Sequence, residues 1–351
     1  MKVKRLVLVL GLALLVMTAG CAGDSGGNET NKSENVSSSG GGNESSGSES
    51  GGNESESSPD DVNATSNATS IQEEQDRSWL NDYDEENDTL VSPNDSLSTQ
   101  VFAADEGETV YVKNGLYKGG VFVNKDVKIV GQNESRVEIL RDQNKRGIWV
   151  NEDANLTVEN VTISGFTGAG IYLSENRNGF RISNVTVSNS KSGVFARKTT
   201  GNWVIKDSKI TDNDEGVMVH NSKSKFLINR SDLVNNTEHA LYSPGTTRSW
   251  KVNLTNITNN GRGVLTNGKS PNSEPTILRS NIHDNGVAVD SDNPRTYNPL
   301  VAKKVYWGQR EGPTEEQIQG YIEVVDPCPQ PNRRHRTWIT CKGTIGRGSG
   351  R

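Results

Sequence analysis

The chain has 351 residues, a formal net charge of −6, 31% hydrophobic residues, four histidines and three cysteines. Its length allows two domains, and its acidic balance gives no electrostatic reason to expect nucleic acid as a partner. Four histidines leave little imidazole for a metal centre.

Lys2, Lys4 and Arg5 precede an apolar run, Leu6 to Val16, and Thr18-Ala19-Gly20-Cys21 follows. A basic start, a short apolar core and small residues describe an export signal. About 11 apolar residues are too few to span a bilayer, which needs roughly 20. The cysteine directly after Thr-Ala-Gly resembles a prokaryotic lipobox, with Thr18 where leucine is commoner. That resemblance implies a signal peptide over 1–20 and lipidation of Cys21, against the simpler alternative of an ordinary secretory signal. The expected location is therefore the cell surface, on the outer side of the cytoplasmic membrane.

Residues 21–75 are mostly Ser, Gly, Asn and Glu. Such a segment cannot bury enough apolar surface to offset its ordering entropy and is expected to be a disordered tether. As a random coil of ~54 residues it would span about 40 Å. Asn28, Asn31, Asn35, Asn43, Asn53, Asn63 and Asn67 sit in Asn-X-Ser/Thr sequons, so glycosylation is an expectation here. An acidic lead-in over 76–94 carries scattered apolars, Trp79, Tyr83 and Leu90 among them, and its structure is left open. The spacing of Leu97, Val101 and Ala104 predicts a short helix over 95–104.

From Gly147 onward the sequence repeats itself. Openings run Gly147-Ile-Trp-Val, Gly170-Ile-Tyr-Leu, Gly193-Val-Phe-Ala and Gly216-Val-Met-Val, then His239-Ala-Leu-Tyr, Gly263-Val-Leu-Thr and, more loosely, Gly286-Val-Ala-Val. A second apolar column, Ile163, Val187, Ile210, Leu233, Ile257 and Ile282, keeps the same period of about 23 residues. A fixed period of this size is the mark of a solenoid. Each unit holds three short segments alternating with period two, as half-buried strands do, and no unit has room for a long helix. The fold class read from this is all-β, a right-handed parallel β-helix over 95–327. Asn189, Asp212, Asn235, Asn259 and Asp284 form one turn column, whose residues tolerate left-handed backbone. The next column, Ser190, Asn213, Asn236, Asn260 and Asn285, is expected to form a stacked amide ladder.

Two flanking segments carry a family resemblance. Gly107-Glu-Thr-Val-Tyr-Val-Lys-Asn-Gly-Leu-Tyr117 after the helix, and Tyr306-Trp307-Gly308 with Gly312-Pro313 at the far end, resemble pectate-lyase-like β-helix proteins of the carbohydrate-binding and sugar-hydrolase type. The resemblance implies that the helix caps the open end of the solenoid. It does not supply an activity: the family holds lyases, hydrolases, epimerases, a nitrous-oxide-reductase maturation factor and proteins of no known activity.

The resemblance implies where to look for chemistry. Lyases of this fold gather acids around calcium beside an Arg or Lys base. Asp212, Asp214, Glu215, Asp232 and Glu238 crowd neighbouring turns, Asp284 lies further along, and Asp212, Asp214, Glu215 and Glu238 are the catalytic candidates. Columns aligning Asp214 with Lys191 and Thr237, and Glu215 with Ser192, Glu238 and Arg262, are not uniformly acidic, and solvated turns, where the acids of a solenoid normally sit, are the favoured account. No cofactor is expected; calcium enters only with a lyase. A copper role needs imidazole or soft ligands, and His220, His239, His283 and His335 share no column, leaving only the pair Met218 and His220.

The aromatic column is more informative. Period two turns the middle of each opening strand outward, at Trp149, Tyr172, Phe195, Met218, Leu241 and Leu265. Outward positions elsewhere are polar, Thr162, Thr186, Lys209, Asp232, Asn256 and Asn281. An apolar outer face is either covered, by 292–338, or a ligand platform. On the platform reading Trp149, Tyr172 and Phe195 stack on sugars at a spacing of about 4.8 Å, with Glu175, Arg177, Arg197 and Lys198 at the rim. The basic tail over 328–351 holds Cys328 and Cys341, the only pair left for a disulfide once Cys21 is lipidated.

The reading is a monomeric, lipid-anchored β-helix that binds polysaccharide or another surface component without cleaving it. Polysaccharide cleavage is the alternative, metalloenzyme maturation the third. Cys21→Ser is expected to release the protein into the medium or block its processing. Normal membrane retention with the signal cleaved, measured by fractionation, contradicts the lipidation.

Overall fold

The computed structural model describes residues 78–268, 273–292 and 297–331. Cys21, the tether, His335 and Cys341 lie outside them. Within these residues the chain winds as a parallel β-helix: each coil gives one strand to a 9-stranded sheet and two to a 17-stranded sheet. The coil at Ala169–Ser174 and Phe180–Ser188 shows the pattern. Its second strand bends at Asn184 and pairs in parallel with Leu156–Ser164 on one side, and with Trp203–Lys206 and Lys209–Thr211 on the other.

Corners make the closed coil possible, and they are left-handed. The expected column Asn189, Asp212, Asn235, Asn259 and Asp284 has φ between 52° and 57°. A second corner, between the two strands of the larger sheet, runs through Asn160, Asn184, Asp207, Arg230, Leu254, Arg279 and Lys304. Left-handed backbone costs an L-residue about 1–2 kcal/mol. Hydrogen bonds to the next coil offset it, such as Arg230 N–H to the Asn253 carbonyl at 3.0 Å and Leu254 N–H to that of Leu278 at 3.1 Å.

The amide ladder is present and buried. Nδ2 of Asn213 donates to Oδ1 of Asn236 at 3.2 Å, Asn236 to Asn260 at 3.0 Å, and Asn260 to Asn285 at 2.9 Å. Each Oδ1 also accepts the main-chain N–H of the residue one coil earlier, beginning with Ser190 to Asn213 at 3.0 Å. Ile163, Val187, Ile210, Leu233, Ile257 and Ile282 are fully buried inside the tube. An aromatic stack not singled out in the sequence joins them: Phe180, Trp203, Phe226 and Trp250 lie within 14° of parallel, with ring centres 4.3 to 5.5 Å apart.

Two columns differ from the sequence reading. Glu215 pairs with His239 and Met218 with Tyr242, so the fifth unit opens at Ala240 and its outward residue is Tyr242; Leu241 is buried. Likewise Arg262 pairs with Val287, so Ala288, not Gly286, stands in the opening column. Glycine prevails there for lack of space: a Cβ on Gly193 would lie 2.5 Å from Ile210 and 2.6 Å from the Gly216 carbonyl.

The N-terminal end is covered by a helix. Helix α1, Leu97–Ala103, is N-capped by Ser96 and buries Leu97, Val101 and Ala104, as expected. The acidic lead-in is structured before residue 95: Thr89–Val91 pairs with Thr109–Val112, and Trp79 and Tyr83 pack on Tyr111. At the other end Trp307 is fully buried, and Ile318–Gly320 and Ile322–Val325 add the last strand of each sheet. Cys328 is buried and disulfide-bonded.

Replacing Asn213, Asn236 and Asn260 together by Ala strips main-chain N–H groups of buried partners, at about 1–3 kcal/mol each. A large fall in melting temperature is expected by circular dichroism; an unchanged value contradicts a stabilising ladder.

Candidate functional site

The smaller sheet carries a groove of about 630 Å³ on its outer face. Its floor is the outward residue of successive strands: Phe122, Trp149, Tyr172, Phe195 and Met218. The alternation predicted this column, and Trp149 is 43% exposed. None of the described residues beyond 292 lines the groove; Ile318–Gly320 lengthens the sheet instead of covering it.

The rings do not form the single flat platform that equal spacing suggested. Tyr172 and Phe195 meet edge to face, at 80° and 5.5 Å between centres, and Phe122 and Trp149 are tilted by 54° at 4.9 Å. The Arg146 guanidinium lies 3.9 Å from the centre of the Tyr172 ring and 4.9 Å from that of Trp149. Cation–π contacts of this kind are worth about 0.5–1 kcal/mol when exposed. They hold the guanidinium in the groove.

The polar wall differs from the expected rim. Arg177 is bonded to Glu152 and Asp153, and Lys198 to Glu175, so these charges pair with one another. The groove is edged by Asn144, Lys145, Arg146, Lys191, Ser192 and Glu215. These occupy the two or three positions before each opening glycine. A basic residue recurring there, at 145 and 191, was the sequence signal for them.

At one end of the groove stands the second cluster. Glu215, Glu238 and His239 have ligand-type atoms within 4.8 Å of one another. His239, not Glu238, occupies the Glu215 column. Burial and the Glu238 carboxylate push the Glu215 carboxyl above its usual range, against weaker opposition from the Ser192 hydroxyl and Lys191. Burial and Arg262 hold the His239 imidazole below its usual value. The other acids stay apart: Asp212 is at a corner bonded to Thr211, Asp232 accepts from Asn256, and Asp284 contacts His283. Asp214 accepts from Thr237 at 3.4 Å. Met218 and His220 both lie on Glu215–His220, where His220 contacts Asn221.

A raised carboxyl has a testable sign. The neutral form of Glu215 is favoured by folding, so its contribution is full below the ordinary carboxylate range and is lost as pH rises through the raised folded value. Glu215→Gln, with a chelator present, is therefore expected to match the parent in melting temperature near about pH 4 and exceed it near about pH 7. Equal melting temperatures at both pH values contradict the shift.

Residues 146–301 match the protein family described as the right-handed β-helix region. No curated protein matches the chain by sequence. Among solved structures, a pectate lyase, Pel9A, is similar at a TM-score of 0.53 and 13% identity, covering 74% of this chain and 81% of the lyase. Pectin methylesterase PemA from Erwinia chrysanthemi matches at 0.48 and 10% identity, covering 66% and 92%. At 13% identity the likeness to the lyase is one of fold.

Proposed function

We propose that the aromatic groove of the repeat domain, whose residues 146–301 match the right-handed β-helix family, binds an acidic polysaccharide without cleaving it. The carrying observation is the Arg146 guanidinium laid over Tyr172 and Trp149 in an open groove. The volume falls within the range of about 300–1,000 Å³ common for ligand clefts. Ring faces suit the C–H faces of sugars, and a guanidinium presents a planar fork that pairs with a carboxylate. Three lining cations, Lys145, Arg146 and Lys191, stand against one lining carboxylate, Glu215, which favours an acidic polymer over a neutral one. The pectate named for one similar structure is itself an acidic polysaccharide. In this reading a lipid on Cys21 anchors the protein outside the cytoplasmic membrane, and residues 22–75 give the domain reach.

Cleavage is the second reading, favoured by Glu215, a half-buried carboxyl with a raised pKa in the groove wall. Perturbed carboxyls gather at catalytic sites. Release of reducing ends or unsaturated products from a bound polymer would select it.

Changing both Tyr172 and Phe195 to Ser is expected to weaken binding of an acidic glycan such as polygalacturonate at least about tenfold, the equivalent of 1.4 kcal/mol. Calorimetric titration and thermal melting, run together, give the check. Both rings are only half-buried, so the fall in melting temperature should be smaller than for Trp203→Ala in the core stack, where aromatic truncation costs about 3–5 kcal/mol. Unchanged affinity, or destabilisation as great as that of the core variant, contradicts the groove as a binding platform.

A further inference from the structure

The repeat is broken once near the groove, and the break places a residue. In the coil before it, one residue separates Asn213 from Glu215. In the coil after it, one separates Asn260 from Arg262. Between them, two residues separate Asn236 from His239. The ladder aligns Asn213 with Asn236 and Asn260, while strand pairing aligns Glu215 with His239 and Arg262. Thr237 and Glu238 both bond to Asp214, at 3.4 and 2.8 Å, so two residues stand where the neighbouring coils have one. Extra residues of this kind re-aim side chains and recur near functional sites. Here the two-residue stretch brings the Glu238 carboxylate beside a carboxylate and an imidazole.

We propose that Glu215, Glu238 and His239 form a binding site for a divalent transition-metal ion of the zinc class. Their ligand atoms already lie within 4.8 Å of one another. Carboxylate oxygens and imidazole nitrogens sit about 2.0–2.2 Å from zinc, so ligands of one ion are at most roughly 4 Å apart. Less than about 1 Å of side-chain motion closes that difference, and Glu238 is exposed and free to supply it.

His239 points to a ligand independently of the acids. Its Nδ1 is sealed from solvent and has no hydrogen-bond partner, and the side chain is 17% exposed. The nearest carboxylate oxygen, Oε2 of Glu238, is 4.0 Å away, too far to bond. Buried polar atoms without partners are rare and each calls for an explanation. The ring is also held in place, stacked on Tyr242 at 4.9 Å between centres and 22° from parallel.

The surrounding charges admit a cation. Lys191 and Arg262 face Asp214, Glu215, Glu238 and Asp290, four carboxylates against two cations. Arg262, the cation nearest His239 in its column, is bonded to Asp290 at 2.9 Å, which neutralises it locally. An imidazole with two carboxylates suits zinc; calcium takes six to eight oxygen ligands and would find too few here. Three protein ligands leave a tetrahedral ion one open position. Glu215 also lines the groove, so a bound ion would adjoin it. The site stands apart from any claim about what the groove binds.

Calorimetric titration of the whole chain with zinc chloride is expected to show one saturable site, with a rise in melting temperature. Calcium chloride should bind at least about tenfold more weakly. Glu238→Gln and His239→Gln should each weaken zinc at least about tenfold, while His220→Gln leaves it unchanged. Since Glu238 is exposed, its variant keeps the fold, and circular dichroism verifies this; if His239→Gln unfolds, Glu238→Gln alone decides. Absence of saturable zinc binding overturns the proposal. So does zinc affinity undiminished in Glu238→Gln, or calcium binding as tight as zinc.

Discussion

Everything in this molecule depends on coils closing at the same height, so that each strand finds its partner one turn later. Left-handed corners and cross-coil hydrogen bonds enforce that closure. The corners at Asn189, Asp212, Asn235, Asn259 and Asp284 each turn the chain through one left-handed residue. Behind them, Asn213, Asn236, Asn260 and Asn285 bind both side chain and main chain of the neighbouring coil. Low-dielectric surroundings strengthen such a chain of bonds and make a missing member costly. The aromatic stack from Phe180 to Trp250 is part of the buried core.

Regular stacking converts sequence columns into surface stripes, and the groove is one of these. Trp149, Tyr172 and Phe195 stand in line because their strands are in register. Arg146 enters the groove by preceding the opening glycine of its own coil, while Lys191 and Glu215 enter from later coils near the same edge. The Glu215, Glu238 and His239 cluster arises differently, from one residue in excess of the repeat. A solenoid tolerates such an insertion because each coil contacts only its neighbours.

The sequence made the solenoid, its period, the ladder and the capping helix legible, because each repeats a chemical type in phase. Corner columns of Asn and Asp were readable for the same reason. The second corner was not: Arg230, Leu254, Arg279 and Lys304 adopt left-handed backbone without the usual turn residues, held there by contacts that no local pattern records. Assigning Leu241 outward instead of Tyr242 had one cause, the extra residue in the stretch 237–238, which shifts the alignment by one and so exchanges inside for outside. That same slip put Glu238 in the column His239 occupies. The groove's floor was legible from period two. Its cationic wall was not, since Arg146 meets Tyr172 only through the stacking of coils, and the tilt of the rings depends on side-chain packing.

The central claim is that the groove on the smaller sheet, and not the polar outer face of the larger one, is where an acidic glycan lies. A co-crystal structure with a short oligogalacturonate tests this most directly. The account predicts sugar rings running along the helix axis over Trp149, Tyr172 and Phe195, with a carboxylate against Arg146. Oligosaccharide seated on the larger sheet, or a groove left empty by a ligand that binds elsewhere on the molecule, would contradict it.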